Sequence, residues 1–342
     1  MGTTGICAER PSVCAEPRLR IRDPNAVEAE GGAGQPLAFL AAAYREAHLD
    51  RVVAGTKAGH RAGAALASPL VLGVCGSGGA EDTGSGTCTA QWPKELLRGC
   101  RAACEARLRP GDAAAAAATG GASASYGGPV SVLEEALKSA GASQASSTVL
   151  LAVLDNASRI HGQPRPMIAV LSVGDCGMLL LRWQNEDKDR LEVVHHVEGT
   201  DSRRLPINAG SGSGLDLQAS GAVQCVSVAE GDVILLGSNS IFATLSPGEI
   251  ARHCEDGFHN RRPPMLRGPC EDGAAGLERG RRQLLQEIAQ EVVTATHARP
   301  LKVQLSAPDD HSVAVAEVLP WATVMSPDNN IPVSLAGAGV SP

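Results

Sequence analysis

The chain has 342 residues, of which 43% are apolar and 2% aromatic, with a formal net charge of −7. That is enough for one large domain or two small ones, whose core must be built from Ala, Val, Leu and Ile. An acidic chain with no basic stripe interleaved with aromatics argues against a nucleic-acid partner, and no apolar run reaches the roughly 18–20 residues that span a bilayer.

Residues 1–36 are rich in Gly, Pro and charge without a sustained period, and read as a flexible leader. The leader begins Met-Gly, but Ile6 stands where a myristoylation signal wants Ser or Thr. Arg10, Arg18, Arg20 and Arg22 suggest an organelle transit peptide, which Glu9, Glu16 and Asp23 argue against. Residues 68–79, SPLVLGVCGSGG, read as a short buried strand running into a Gly/Ser turn. Residues 93–108 place Leu97, Cys100, Cys104 and Leu108 on one helical stripe, punctuated by Pro93 and Pro110. Residues 111–125 are a low-complexity insertion, and 131–141 form a short helix closed by Gly141.

A strand-rich block follows. Residues 146–155, 167–184 and 191–197 predict antiparallel strands, with a hairpin bend at Gly174, Asp175 and Gly177. Residues 222–238 predict two strands around the turn Glu230-Gly231-Asp232. Ser246-Pro247-Gly248-Glu249 has the form of a helix start: an N-cap, a proline at the first position and an acid at the third. Residues 259–276 are a Pro/Gly-rich excursion. Residues 277–299 are an amphipathic helix with Leu284, Leu285, Ile288 and Val292 on one face, and 312–319 are a closing strand. Grouped strands with segregated helices predict an α+β fold with antiparallel sheets, occupying residues 37–322 and followed by a tail over 323–342. The core strands are expected at 150–153, 168–171, 233–236 and 313–315. The ten cysteines show no CxxC spacing and read as reduced, mostly buried thiols of an intracellular protein.

Four segments, SSTVLLAVLD, VLSVGDCGMLLLR, GDVILLGSNSIFATLS and APDDHSVAVAEV, occur in an order that resembles the PPM-type, or type 2C, metal-dependent serine/threonine protein phosphatases, most of all their compact organellar-type branch. Gly174, Asp175, Gly177, Arg182, Gly231, Asp232, Phe242, Asp309, Asp310, Ser312 and Val313 carry the resemblance, over roughly residues 50–320. It implies two face-to-face antiparallel sheets flanked by helices. It also implies a site at one edge where aspartates and waters hold two Mg²⁺ or Mn²⁺ ions and a metal-bridging hydroxide attacks phosphorus. Such ions want hard oxygen ligands, and a metal pair lowers the pKa of water and clamps phosphate.

The sequence departs from the family at the ligand positions. The bridging aspartate corresponds to Gly76 and the glycine after it to Ser77; the earlier acid corresponds to the acid-free stretch around Arg61 and Gly63. The aspartate of the third segment becomes Asn239, and its glycine Ser240. Of the closing pair, Asp309 remains as a vestigial metal position, with Asp310 beside it. Glycine has no side-chain donor and Asn no negative charge, so metal affinity is expected to be low. The resemblance therefore implies a pseudophosphatase: a binding, regulatory or structural subunit with protein partners, no membrane span and no required cofactor. The alternative is an active serine/threonine phosphatase that uses Mg²⁺ or Mn²⁺ in a degenerate site. The branch suggests a mitochondrial location, with the cytoplasm equally open.

Other residues near these segments read as structural. Asp175 fits an Asx turn. His195 and His196 point to opposite faces of a strand. His311 is the histidine nearest the vestigial site. Cys75 and Cys176 lack a neighbouring base that would activate a thiol. Arg61 is the one basic residue close in sequence to a site segment, as capture of a phosphorylated partner would require.

Overall fold

The computed structural model describes residues 35–46, 63–78, 91–108, 128–140, 146–156, 159–160, 163–184, 190–199, 221–260, 273–299, 310–325 and 334–336. All of them lie in one compact unit, Gly34–Pro342. In chain order the strands are β1 (Leu37–Glu46), β2 (Gly63–Ala67), β3 (Val71–Gly78), β4 (Ser146–Asp155), β5 (Arg159–Ile160), β6 (Gln163–Pro164), β7 (Met167–Val173), β8 (Gly177–Trp183), β9 (Leu191–Val197), β10 (Ala222–Ser227), β11 (Val233–Gly237), β12 (His311–Pro320) and β13 (Ser334–Ala336). The helices are α1 (Trp92–Leu108), α2 (Gly128–Ala140), α3 (Asn239–Thr244), α4 (Pro247–Asn260), α5 (Gly273–His297) and α6 (Trp321–Val324).

Two antiparallel sheets form the centre. The first has order β1-β12-β11-β8-β9, and the second β10-β7-β4-β3-β2-β13; β5 and β6 make a separate two-stranded ribbon. Period-2 alternation assigns each strand's side chains to layers. In β12, Ala314, Ala316 and Val318 join Leu72 and Val74 of β3, Leu150 of β4 and Ile234 of β11 in the core between the sheets. The alternate residues Val313, Val315 and Leu319 pack instead with Leu284, Leu285, Ile288 and Val292 of α5 and with α4. On the far side, Val149, Leu151 and Val153 of β4 pack against Leu96, Leu97 and Cys100 of α1 and Leu133 of α2. The result is helix, sheet, sheet, helix. Strands covered on both faces read as unbroken apolar runs, which accounts for the stretches expected as core strands: all four lie in β4, β7, β11 and β12.

Several features go beyond the sequence expectations, which assigned no element to residues 37–67, or differ from them. The Ala-rich segment of β1 pairs with β12 across all ten of its residues, from Leu37↔Pro320 to Glu46↔His311. Its composition favours helix, and tertiary pairing overrides that preference. The short β2, GAALA, is a strand for the same reason. Strands β10 and β11 flank one turn but enter different sheets, because Gly231, at φ 85°, redirects the chain. The Pro/Gly-rich excursion is shorter than expected, since α4 runs to Asn260 and α5 begins at Gly273. The expected tail supplies β13, which pairs with β2 from Ser334↔Ala67 to Ala336↔Ala65. Residues 1–34 of the leader and the low-complexity insertion lie outside the described residues. No described helix is long and apolar enough to cross a membrane.

Candidate functional site

The residues that carry the family resemblance build a frame. The expected hairpin at Gly174, Asp175 and Gly177 is instead a crossing between the sheets, since β7 pairs in the second sheet and β8 in the first; Gly174 makes that turn with φ 96°, a left-handed conformation that favours glycine. Any Cβ at Gly177 would sit 2.6 Å from the ring of Phe242, so glycine there lets the α3 phenylalanine lie against β8. The fully buried Asp232 accepts hydrogen bonds from Arg182 Nε and Nη2, both at 2.7 Å, and from the Ala229 N–H at 2.8 Å. This two-pronged pair fixes the turn before β11 against β8. The ion pair raises the Arg182 guanidinium above its ordinary range, first through the hydrogen bond to Asp232.

The strand alternation then sets what lies at one end of the sandwich. Arg45 continues the inward-facing series Phe39, Ala41 and Ala43 of β1, and Gly63 the series Ala67 and Ala65 of β2. Gly76 follows Leu72 and Val74 of β3, and Thr148 precedes Leu150 of β4. Ser238 extends Ile234 and Leu236, and Ser312 precedes Ala314. Register joins these positions: Arg45↔Ser312, Gly63↔Gly76 and Gly76↔Thr148.

The acid at this end is Asp310, whose side chain is 0% exposed. Its Oδ2 accepts hydrogen bonds from Arg45 Nε at 3.0 Å, from Arg45 Nη2, and from the Gly63 N–H at 2.8 Å. Arg45 is itself only 5% exposed. Gly63 makes this approach possible, because a Cβ there would lie 2.6 Å from Ser312 Oγ and 3.3 Å from the Asp310 Cβ. The tip of β11 is tied to the same segment. Ser238 N–H donates to the Ser312 carbonyl at 2.9 Å, and the Ser312 N–H donates to Ser238 Oγ at 3.1 Å. The Ser238 hydroxyl donates to the Asp310 carbonyl at 3.1 Å, leaving Ser240 Oγ, 3.0 Å away, to donate to Ser238. Engaged in this way, the Ser238 side chain does not cap α3, although Ser238 occupies its N-cap position. On α1, Lys94 is lowered from its ordinary value, first by burial and then by the positive charges of Arg45 and Arg98.

The structure thus brings Gly63, Gly76, Asp310 and the Ser238–Ser240 tip to one end of the sandwich. Gly76 lies one strand from Asp310, through Gly63. Asn239 is half-buried and begins α3, with Ser240 buried behind it. Ser77 pairs with Ser147 in the β3–β4 ladder. Asp309 and Arg61 lie outside the described residues.

His311 turns away from Asp310 toward α5, its Nδ1 3.5 Å from Thr296 Oγ1 and its ring 4.4 Å from that of His297. His195 meets Gln224 Oε1 at 2.8 Å, while His196 stacks on Phe242 and is lowered from its ordinary value, chiefly by burial. Cys75 and Cys176 are buried, the latter 3.5 Å from Thr148 Oγ1. Half-buried Asp175 sits in the turn between β7 and β8, its peptide against Gly199. Sequence reasoning missed Arg45. The signal was its position at the end of β1, which becomes visible only once that Ala-rich segment is known to be a strand.

The described residues do not fit a pair of dications. Gly76 offers no side-chain donor, Asn239 no charge, and the Asp310 carboxylate is neutralised by a guanidinium. Among the described residues no group of three or more His, Cys, Asp or Glu side chains could hold a metal ion.

No protein-family model and no curated relative matches the chain. Among solved structures, the chain is similar in fold to the catalytic domain of the serine/threonine protein phosphatase PstP, solved with two manganese ions, at 12% identity and a TM-score of 0.47; the match covers 83% of this chain and 99% of that one. It is similar to the photosystem II phosphatase PBCP at 16% identity and a TM-score of 0.45, over 81% and 97% of the two chains. It is also similar to the PPM Ser-Thr phosphatase MsPP from Mycobacterium smegmatis at 13% identity and a TM-score of 0.42, again over 81% and 97%.

Proposed function

We propose that this chain is a pseudophosphatase: a protein with a PPM-like sandwich that serves as a binding, regulatory or structural module for protein partners and does not turn over phosphate. The observation that carries this reading is the state of Asp310. At the cleft where the family's ligands would converge, this carboxylate is buried and engaged by Arg45 and the Gly63 N–H. Its neighbours Gly76 and Asn239 add no negative charge. A dication would have to displace a guanidinium from a desolvated pair and would find few anionic ligands to replace its water shell, which Mg²⁺ sheds reluctantly. Without a bound metal there is no activated water for attack on phosphorus.

The test is hydrolysis of p-nitrophenyl phosphate and of phosphopeptides by the full chain in Mg²⁺ or Mn²⁺. The expected result is no turnover above buffer. Metal-dependent turnover that Asp309→Ala abolishes would sink this reading and establish a degenerate but active phosphatase.

A further inference from the structure

We propose that Arg45 and Asp310 form an internal counter-ion clip. The guanidinium holds the carboxylate in the part a bound dication plays in a carboxylate-lined site and withholds Asp310 from metal, while the Gly63 N–H on the same carboxylate joins the two sheets at that end. Arg45 lies at the end of β1 and Asp310 immediately before β12, both belonging to the first sheet. Gly63, which donates its N–H to the same carboxylate oxygen, begins β2 in the second sheet. One oxygen therefore connects the facing layers.

The surroundings are shaped for this use. Glycine at position 63 leaves room for the Asp310 side chain, whose Cβ would lie 3.3 Å from any Cβ placed there. The side chains of both charged partners are almost wholly shielded from water. Ser238 holds the Asp310 carbonyl and the Ser312 N–H, fixing the backbone from which the carboxylate projects. A buried pair of this kind contributes little net stability against an apolar replacement, but removing one partner strands an uncompensated charge and costs heavily. That asymmetry makes the clip measurable.

The clip rests on the proposed function only for the placement of the cleft, and it is read by unfolding and metal binding rather than by turnover. Urea unfolding of the full chain is measured in EDTA and in Mn²⁺ for the wild type, Arg45→Met, Asp310→Asn and the double variant, with free Mn²⁺ followed by electron paramagnetic resonance. A metal held at 100 times its dissociation constant multiplies the folding constant about 100-fold; the wild type is expected to change by less than about twofold and to leave the free Mn²⁺ signal intact. Arg45→Met is expected to lower the folding constant by about 10²–10³-fold, and the double variant to be at least about tenfold more stable than the product of the two single effects. If Arg45→Met does not fold, Asp310→Asn carries the test. It keeps an oxygen for the Gly63 N–H, strands the guanidinium, and is expected to lower the folding constant about tenfold or more.

Additive variants, an Asp310→Asn chain as stable as the wild type, or Mn²⁺ binding lost in Asp310→Asn would each overturn the clip. The first two leave the proposed function standing. Mn²⁺ bound without Asp310, together with phosphate turnover, would remove the proposed function and leave the clip.

Discussion

Gly63 and Gly76 are paired neighbours on β2 and β3, yet the space around them differs. A Cβ at Gly76 would meet Thr148 Oγ1 at 3.1 Å, a contact that a shift of a few tenths of an ångström relieves. A Cβ at Gly63 would lie 2.6 Å from Ser312 Oγ and would crowd Asp310. A side chain is therefore accommodated more easily at Gly76 than at Gly63. Gly76→Asp is expected to fold with a loss of about 1 kcal/mol, whereas Gly63→Asp, which also breaks the carboxylate's approach to the Gly63 N–H, loses about 3 kcal/mol or more. Urea unfolding of the two variants checks this, and equal losses would contradict the geometry. The motif residues also have structural jobs that need no chemistry. Gly177 seats Phe242, and Arg182 holds Asp232; both jobs concern packing and turn geometry, which the fold needs whether or not a metal binds.

At the scale of elements, α4 and α5 cover the outer face of the first sheet. Their approach is set by Gly257, where a Cβ would lie 2.4 Å from Ile288 Cγ1. In an exposed helix, Gly→Ala gains roughly 0.5–1 kcal/mol from reduced backbone freedom. Here the clash is with an atom close to the α5 backbone, which cannot swing away, and overpacking of that kind costs about 1–3 kcal/mol. Gly257→Ala is thus expected to destabilise by about 1–2 kcal/mol, the clash outweighing the propensity gain. Gly248→Ala, in the first turn of the same helix with nothing within 4 Å of its Cβ, is expected to gain about 0.5 kcal/mol. Chemical denaturation of the two variants separates packing from propensity, and a gain at both sites would remove the claim that Gly257 sets the helix spacing. The start of α4 was legible in sequence. Pro247 is its first residue, and Glu249 reaches back to accept the Ser246 N–H at 2.8 Å and the Ser246 hydroxyl at 2.7 Å.

For the whole molecule, acid sensitivity follows from where those carboxylates end up. Glu249 is lowered from 4.5 to about 2, first by the Ser246 N–H, then by the Ser246 hydroxyl and by Arg299 just beyond α5. A folded-state value below the unfolded one means that its stabilisation is complete above the unfolded pKa and disappears as the pH falls toward 2. The melting temperatures of the wild type and Glu249→Gln should therefore differ by a constant amount above about pH 5 and converge by about pH 2. A difference that persists at pH 2 would show that the carboxylate's charge is not the cause.

The sequence by itself determined the class of fold and the length of its core. Continuous apolar runs bounded by Gly and Asp marked β4, β7, β8, β11 and β12, and 3.6-residue periodicity marked α1 and α5, because local pattern and burial agree there. It also showed that positions 76 and 239 carry no charge. Only the tertiary structure decided what stands beside them. Pairing 10 residues of β1 with β12, with Arg45 opposite Ser312, turned an Ala-rich segment into a strand and carried its arginine inward to a carboxylate 265 residues away. Side-chain alternation then placed a glycine opposite to make room, so a long-range ladder, rather than any local motif, brought a guanidinium to the buried carboxylate.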